Sequence, residues 1–128
     1  METQERIVTK THELFMLYGI RSVSMDEIAN HLGMSKKTIY QYFTDKDALV
    51  EGVVDIEIER HQEEFNRYAA ISENAIHEMF LALDTAQEMF KHMNPSVMFD
   101  LQKYHSAAFE KFKTHKHTFF YQITKANI

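Results

Sequence analysis

The sequence contains no cysteine, a single proline and only three glycines in 128 residues. Without thiols there can be no disulfide, no thiol nucleophile and no Cys-ligated zinc, and nothing marks an oxidising compartment. Three glycines leave no material for a Gly-rich phosphate loop. The shortage of glycine and proline also argues against a turn-dense β-sandwich and in favour of long helices. No apolar run approaches the ~18 residues of a membrane span, and the start from Met1 to Arg6 lacks the basic and apolar stretches of a signal peptide. These absences predict a soluble chain in a reducing cytoplasm, with no membrane partner. With 45% hydrophobic residues, a chain of this size can bury roughly two-thirds of its unfolded surface in one core without covalent staples.

Positive charge is also short, at 14 Lys+Arg against 19 Asp+Glu, for a formal net charge of -5. Overall acidity opposes nucleic-acid binding, because phosphates are neutralised by Lys and Arg on the contacting face. The distribution matters more than the total. Residues 48–100 hold 3 basic and 11 acidic side chains, whereas 101–128 hold 5 and 1. Between Lys36 and Lys46 three lysines face a single acid, Asp45, so a local positive face can exist on an acidic protein. Eight histidines make the charge depend on pH near their unperturbed pKa of about 6.5.

Helical periodicity dominates, and no stretch alternates with period two for long enough to form a strand, so the expected class is all-α. Ile7, Thr11, Leu14, Phe15 and Tyr18 form one stripe that meets Gly19, a natural stop, predicting a helix from about Thr3 to Tyr18. Ser24-Met25-Asp26-Glu27 is a capping-box pattern opening a helix that ends near Gly33. Ser35 caps a helix over Lys36 to Phe43, and Asp45 caps a long one reaching about Tyr68. Ser72-Glu73 is expected to open an amphipathic helix through Met93 that Asn94-Pro95 ends. A short helix to about Lys103 and a last one carrying Ala108, Phe109, Phe112, Phe119, Phe120 and Ile123 complete the layout.

The segment from Met25 to Tyr42 carries the most information. Ile28, Leu32, Met34 and Ile39 have the spacing of a shared core between two crossing helices. Ala29 is small at the crossing, and Gly33 suits a turn conformation costly to residues with a Cβ. The second helix then offers Lys36, Lys37, Thr38, Tyr40, Gln41 and Tyr42, donors and aromatics suited to reading a major groove. A helical hairpin whose polar face is merely solvated is the alternative, and it leaves the coincidence of cap, small residue, glycine and basic start unexplained.

Taken together, Ile7, Leu14-Phe15, Tyr18-Gly19, Ser22 to Ala29, Leu32 to Phe43 and Lys46 to Leu49 closely resemble the tetracycline-repressor-like (TetR) bacterial regulators. The resemblance covers roughly the first third of the chain. It implies a three-helix DNA-binding unit with a helix-turn-helix at residues 1–47, joined by a fourth helix to a helical effector-binding domain at 48–128. It implies a homodimer on a pseudo-palindromic, double-stranded operator, usually repressing, and responding to a small-molecule effector. By the same resemblance Ser24, Thr38, Tyr40, Tyr42 and Lys46 occupy phosphate-contacting positions, and Lys36, Lys37 and Gln41 base-reading or groove-lining ones. Lys37 stands where many members have glycine. Members usually continue with two further dimerisation helices, so a chain ending at Ile128 is expected to be incomplete and to expose apolar surface from its last helix.

Other readings are weaker. His115 and His117 project about 200° apart on a helix and cannot share one metal ion. Glu57, Glu59, Glu63 and Glu64 follow what reads as the solvent face of a long helix. No nucleophile, base and orienting group form a recognisable set, so neither an enzyme nor a cofactor is expected. From Met79 onward four Met and seven Phe suit an adaptable apolar cavity. The expected effector is accordingly apolar, with Met79, Phe80, Phe99 and Tyr104 as its lining. The competing function is a helical protein-interaction module, for which the face bearing Lys36, Lys37 and Lys46 should be apolar.

Overall fold

In the computed structural model, backbone is described for residues 2–126 and side chains for residues 2–88 and 91–116. Among the described residues the chain forms α1 (Thr3–Tyr18), α2 (Met25–Leu32), α3 (Lys36–Tyr40), α4 (Lys46–Ile71), α5 (Ala75–His92), α6 (Ser96–Tyr104) and α7 (Ser106–Ala126). The side chains of Phe90, His117, Phe119, Phe120 and Ile123, which the sequence placed on apolar faces or weighed as ligands, lie outside the described residues.

Local chemistry sets the first four helices. α1 buries Ile7, Val8, Thr11, Leu14 and Phe15 and stops at Gly19, whose φ of 88° excludes most side chains. A Cβ there would also displace the Ser96 hydroxyl on α6. α2 opens with a complete capping box. The Glu27 amide donates to Ser24 Oγ at 3.1 Å and the Ser24 amide to Glu27 Oε1 at 3.4 Å. Gly33, left-handed at φ 67°, ends it. Ser35 accepts from the Thr38 amide at 3.2 Å to start α3, and Asp45 accepts from the Ala48 amide at 2.8 Å to start α4.

Three boundaries depart from expectation. α3 is shorter than its sequence pattern, ending at Tyr40, because the chain unwinds through turns that still bond Tyr42 and Phe43 back to the Ile39 carbonyl at 3.0 Å each. Phe43 thereby swings inward against Gly52 on α4, where a Cβ would sit 2.8 Å from its ring. α4 runs on to Ile71, past Tyr68. Ser72 closes α4 and does not open α5; its amide bonds the Tyr68 carbonyl at 2.9 Å, and Asn74 takes the capping role by accepting from the His77 amide at 2.9 Å.

One cluster of buried side chains runs from Ile7 and Val8 through Ile28, Ile39, Leu49 and Val53 to Val97, Leu101 and Ala108, so α6 and α7 pack on the same core as α1 to α4. Phe109 and Phe112 are partly buried against it. Asn94 ties the layers together. Its amide N–H and side-chain Nδ2 donate to the Met16 and Leu17 carbonyls at 2.9 and 3.1 Å, capping α1, while its Oδ1 accepts from the Ser96 amide at 3.0 Å at the start of α6. In contrast, Ile76, Met79, Phe80 and Leu83, at helical spacing on α5, are all exposed.

Candidate nucleic-acid interface

The pair α2 and α3 is built from inside out. Ile28 and Ile39 are fully buried, Ala29 and Leu32 nearly so, and Met34 packs against the same cluster. Burying an Ile relative to leaving it exposed is worth about 1.5–3 kcal/mol, so the two isoleucines account for much of the seating of α3 on α2. From the carboxyl end of α2, Leu32 offers its carbonyl to the Arg6 guanidinium of α1 at 3.4 Å. α3 therefore rests on a fixed scaffold while its outer face stays in solvent.

On that face Lys36, Lys37 and Gln41 are exposed, as are Tyr40 and Tyr42 at 43% and 44%. Lys36 Nζ reaches back to Asp26 Oδ1 on α2 at 3.1 Å, an exposed pair that a competing anion can displace at little cost. Among the described residues Lys37 makes no ion pair. Thr38 is half-buried, its hydroxyl sharing a hydrogen bond with Ser35 at 3.0 Å. Five of the eight candidate residues thus form one polar, cationic and aromatic surface.

Ser24 and Lys46 stand apart from the other candidates. Ser24 is exposed, yet its oxygen is occupied by the capping box. Lys46 is half-buried and sends Nζ to the Ile20 and Val23 carbonyls at 2.8 and 2.6 Å, clamping the loop between α1 and α2. Burial holds its pKa below the usual lysine value, opposed by the nearby Asp100 and Glu27 carboxylates. The same loop is gripped from α6. Asp100, buried, accepts from the Arg21 amide at 2.9 Å, and the Arg21 guanidinium lies 5.1 Å from the Tyr104 ring. His105 Nδ1 donates to Asp47 Oδ1 at 2.6 Å at the first turn of α4. Sequence reasoning missed these clamps; the only sign of them was a polar residue at a core-spaced position on α6.

The residues expected to line an effector pocket are on the surface of the described structure. Met79, Phe80, Phe99 and Tyr104 are exposed, and Lys103 caps the Phe99 and Tyr104 rings at 5.4 Å each. A cavity of about 70 Å³ lies between α1, α4, α6 and α7, walled by side chains such as Phe15, Val50, Val54, Met98, Leu101 and Phe112. The stripe on α5 points outward while the facing helices of the core close around this space. Glu57 departs from its expected solvent face. It lies half-buried at the cavity edge, bonded by Arg60 at 3.1 Å and 3.2 Å from His12. Among the described residues no three His, Asp or Glu side chains are placed to hold a metal ion, and no helix is long and apolar enough to cross a membrane.

Residues 7–53, spanning α1 through the first turns of α4, match the sequence model of the bacterial regulatory proteins of the tetR family. The N-terminal unit of the chain is thus that of the TetR family. The chain is 34% identical over 102 residues to an uncharacterized HTH-type transcriptional regulator, YvaF, of Bacillus subtilis, covering 79% of this chain and 53% of that protein. It is also 34% identical over 58 residues to an HTH-type transcriptional regulator of Staphylococcus aureus, covering 45% and 31% of the two chains. The chain therefore spans about half the length, or less, of these relatives. Its fold is that of a TetR transcriptional regulator from Legionella pneumophila, with a TM-score of 0.81 at 15% identity over 99% of this chain and 74% of the other. A transcriptional regulator from Cytophaga hutchinsonii superposes at 0.74 with 24% identity, over 89% and 59%.

Proposed function

We propose that the chain is a DNA-binding transcriptional regulator that lays α3 in the major groove of a pseudo-palindromic operator as one half of a homodimer, acting as a ligand-responsive repressor in the bacterial cytoplasm. The observation that carries this reading is the exposed set Lys36, Lys37, Tyr40, Gln41 and Tyr42 on a helix seated by Ile28 and Ile39. Lys36, Lys37 and Gln41 supply donors to base edges and the groove, and the tyrosine hydroxyls reach phosphates. Residues 1–47 then form the reading unit and 48–128 the regulatory part. The buried core is continuous across that division, so a change in packing on one side is transmitted to the other. No catalytic step belongs to this function.

The effector is an apolar molecule entering the cavity between α1, α4, α6 and α7. At about 70 Å³ the cavity is well below the roughly 150 Å³ that holds benzene. A larger occupant must spread these helices, and spreading α1 from α4 reorients α3. A ligand shifts that equilibrium only by its differential affinity for the two arrangements.

The test is selection of duplexes from a random pool at fixed salt and pH, followed by footprinting. The wild type is expected to enrich a two-fold-related site. Lys36→Ala and Gln41→Ala should each cost about 1–3 kcal/mol on that site and relax the preference at one base pair per half-site. Failure to retain any duplex at low salt would overturn the reading and leave the helix pair as a protein-docking module.

A further inference from the structure

We propose that His12 and His61, which meet the Glu57 carboxylate, and His115, stacked on His61, form a proton-responsive seam that loosens α1 from α4 and α7 in mildly acidic medium. His12 Nε2 on α1 lies 3.2 Å from Glu57 Oε1, and His61 Nε2 lies 3.9 Å from Glu57 Oε2, one turn along α4. The His115 ring of α7 stacks on His61, with centroids 5.7 Å apart and planes at 27°. Three helices thus meet through imidazoles, two of them on one carboxylate and the third stacked on His61, at the rim of an apolar cavity that includes His12, Glu57 and His61 in its wall. The side chains of His12, His61 and Glu57 are only 24%, 22% and 21% exposed.

The charges facing the seam decide what a proton does there. On α1, Glu13 is adjacent but paired with Lys10 at 2.8 Å. On α4, the Arg60 guanidinium already neutralises Glu57 at 3.1 Å. On α7, Lys111 is held by Glu51 and Asp55, at 3.8 and 3.3 Å, nearer the start of α4. The link before α6 and α6 itself contribute only apolar Met93, Val97, Met98 and Leu101 to the cavity. The carboxylate that His12 and His61 both meet is therefore already matched by Arg60. Each proton taken up thus builds unbalanced positive charge beside an apolar wall, and the stacked rings of His61 and His115 cannot both carry charge without repulsion.

Burial pushes the pKa of His12 below the ordinary histidine value, with Glu57 opposing and Arg60 and His61 adding to the fall. Burial and then His61 lower that of His115. A histidine depressed in the folded state is charged more readily in the unfolded one. Its stabilising contribution is thus present above about pH 6.5 and is lost as pH falls from there through the folded pKa.

The seam can be tested without DNA. Thermal unfolding of the full chain followed by circular dichroism from about pH 7.5 to about pH 5.5, at constant ionic strength, compares the wild type with His12→Gln/His61→Gln. The wild-type melting temperature should fall at least twice as far as that of the variant; equal falls overturn the proposal. Ring-proton NMR of the wild type provides a readout that survives a poorly folding variant. His12 and His115 should titrate below the ordinary value with concerted shifts of α1 amides, and titration at or above it with silent α1 amides overturns the seam. Its consequence for DNA rests on the proposed function. Operator affinity of the wild type should drop on acidification relative to the variant, whereas absence of DNA binding at neutral pH overturns the DNA-reading function and is distinct from equal melting slopes, which overturn the seam.

Discussion

Replacing Lys46 with methionine separates two roles that the same ammonium could play. Its Nζ donates to the Ile20 and Val23 carbonyls at 2.8 and 2.6 Å, and burial weakens its hold on the proton. Hydrogen bonds to charged groups contribute about 1.5–3 kcal/mol each, and a buried acceptor left unmatched costs a similar amount. Lys46 is half-buried, so water recovers part of the loss and the lower end applies, giving about 2 kcal/mol for Lys46→Met. For a domain of this size that corresponds to a fall of roughly 6–10 °C in Tm. Urea unfolding followed by circular dichroism measures the loss, and fluorescence anisotropy on a labelled duplex at two salt concentrations measures binding. A stability change below about 0.5 kcal/mol, the range of ordinary surface substitutions, together with a tenfold loss of affinity for every sequence, would refute the clamp. The ammonium would then face a phosphate and not the loop.

Two further outcomes follow from the geometry. Gly33→Ala places a side chain at φ 67° with open space around it and should cost about 1–2 kcal/mol by urea unfolding, whereas Gly19→Ala adds displacement of the Ser96 hydroxyl to a φ of 88° and should cost more. Tyr42→Phe, at an exposed position after α3, should leave Tm unchanged and weaken binding to preferred and random duplexes by the same factor, because a phosphate contact positions without reading bases; a selective loss on the preferred site would move Tyr42 into the base-reading set.

The α5 stripe shows how a correct pattern can still mislead. Ile76, Met79, Phe80 and Leu83 do lie on one face of a helix, as their spacing requires. Spacing identifies which residues share a face, and says nothing about which neighbour that face meets. Met79 and Phe80, expected around an effector from the Met- and Phe-rich composition that begins there, lie on that exposed face, while a cavity forms where Phe15, Val50, Met98 and Phe112 approach from four other helices.

The sequence by itself determined the all-helical class, the caps at Ser24, Ser35 and Asp45, the stops at Gly19 and Gly33, and the polar face of α3. Each of these depends on residues within four positions of one another, where backbone sterics and i to i+3 hydrogen bonds leave few alternatives. Tertiary structure alone decided that Asn94 caps α1 from 77 positions away, that Asp100 holds the Arg21 amide across 79, and that His105 meets Asp47 across 58. It also turned Lys46 inward and Glu57 toward the cavity. A lone Asn, Asp, Lys, Glu or His in a helical pattern announces only that it is polar. Its partner is chosen by how the helices pack, since a side chain taken partly out of water must find its hydrogen bonds among whatever groups that packing brings within reach.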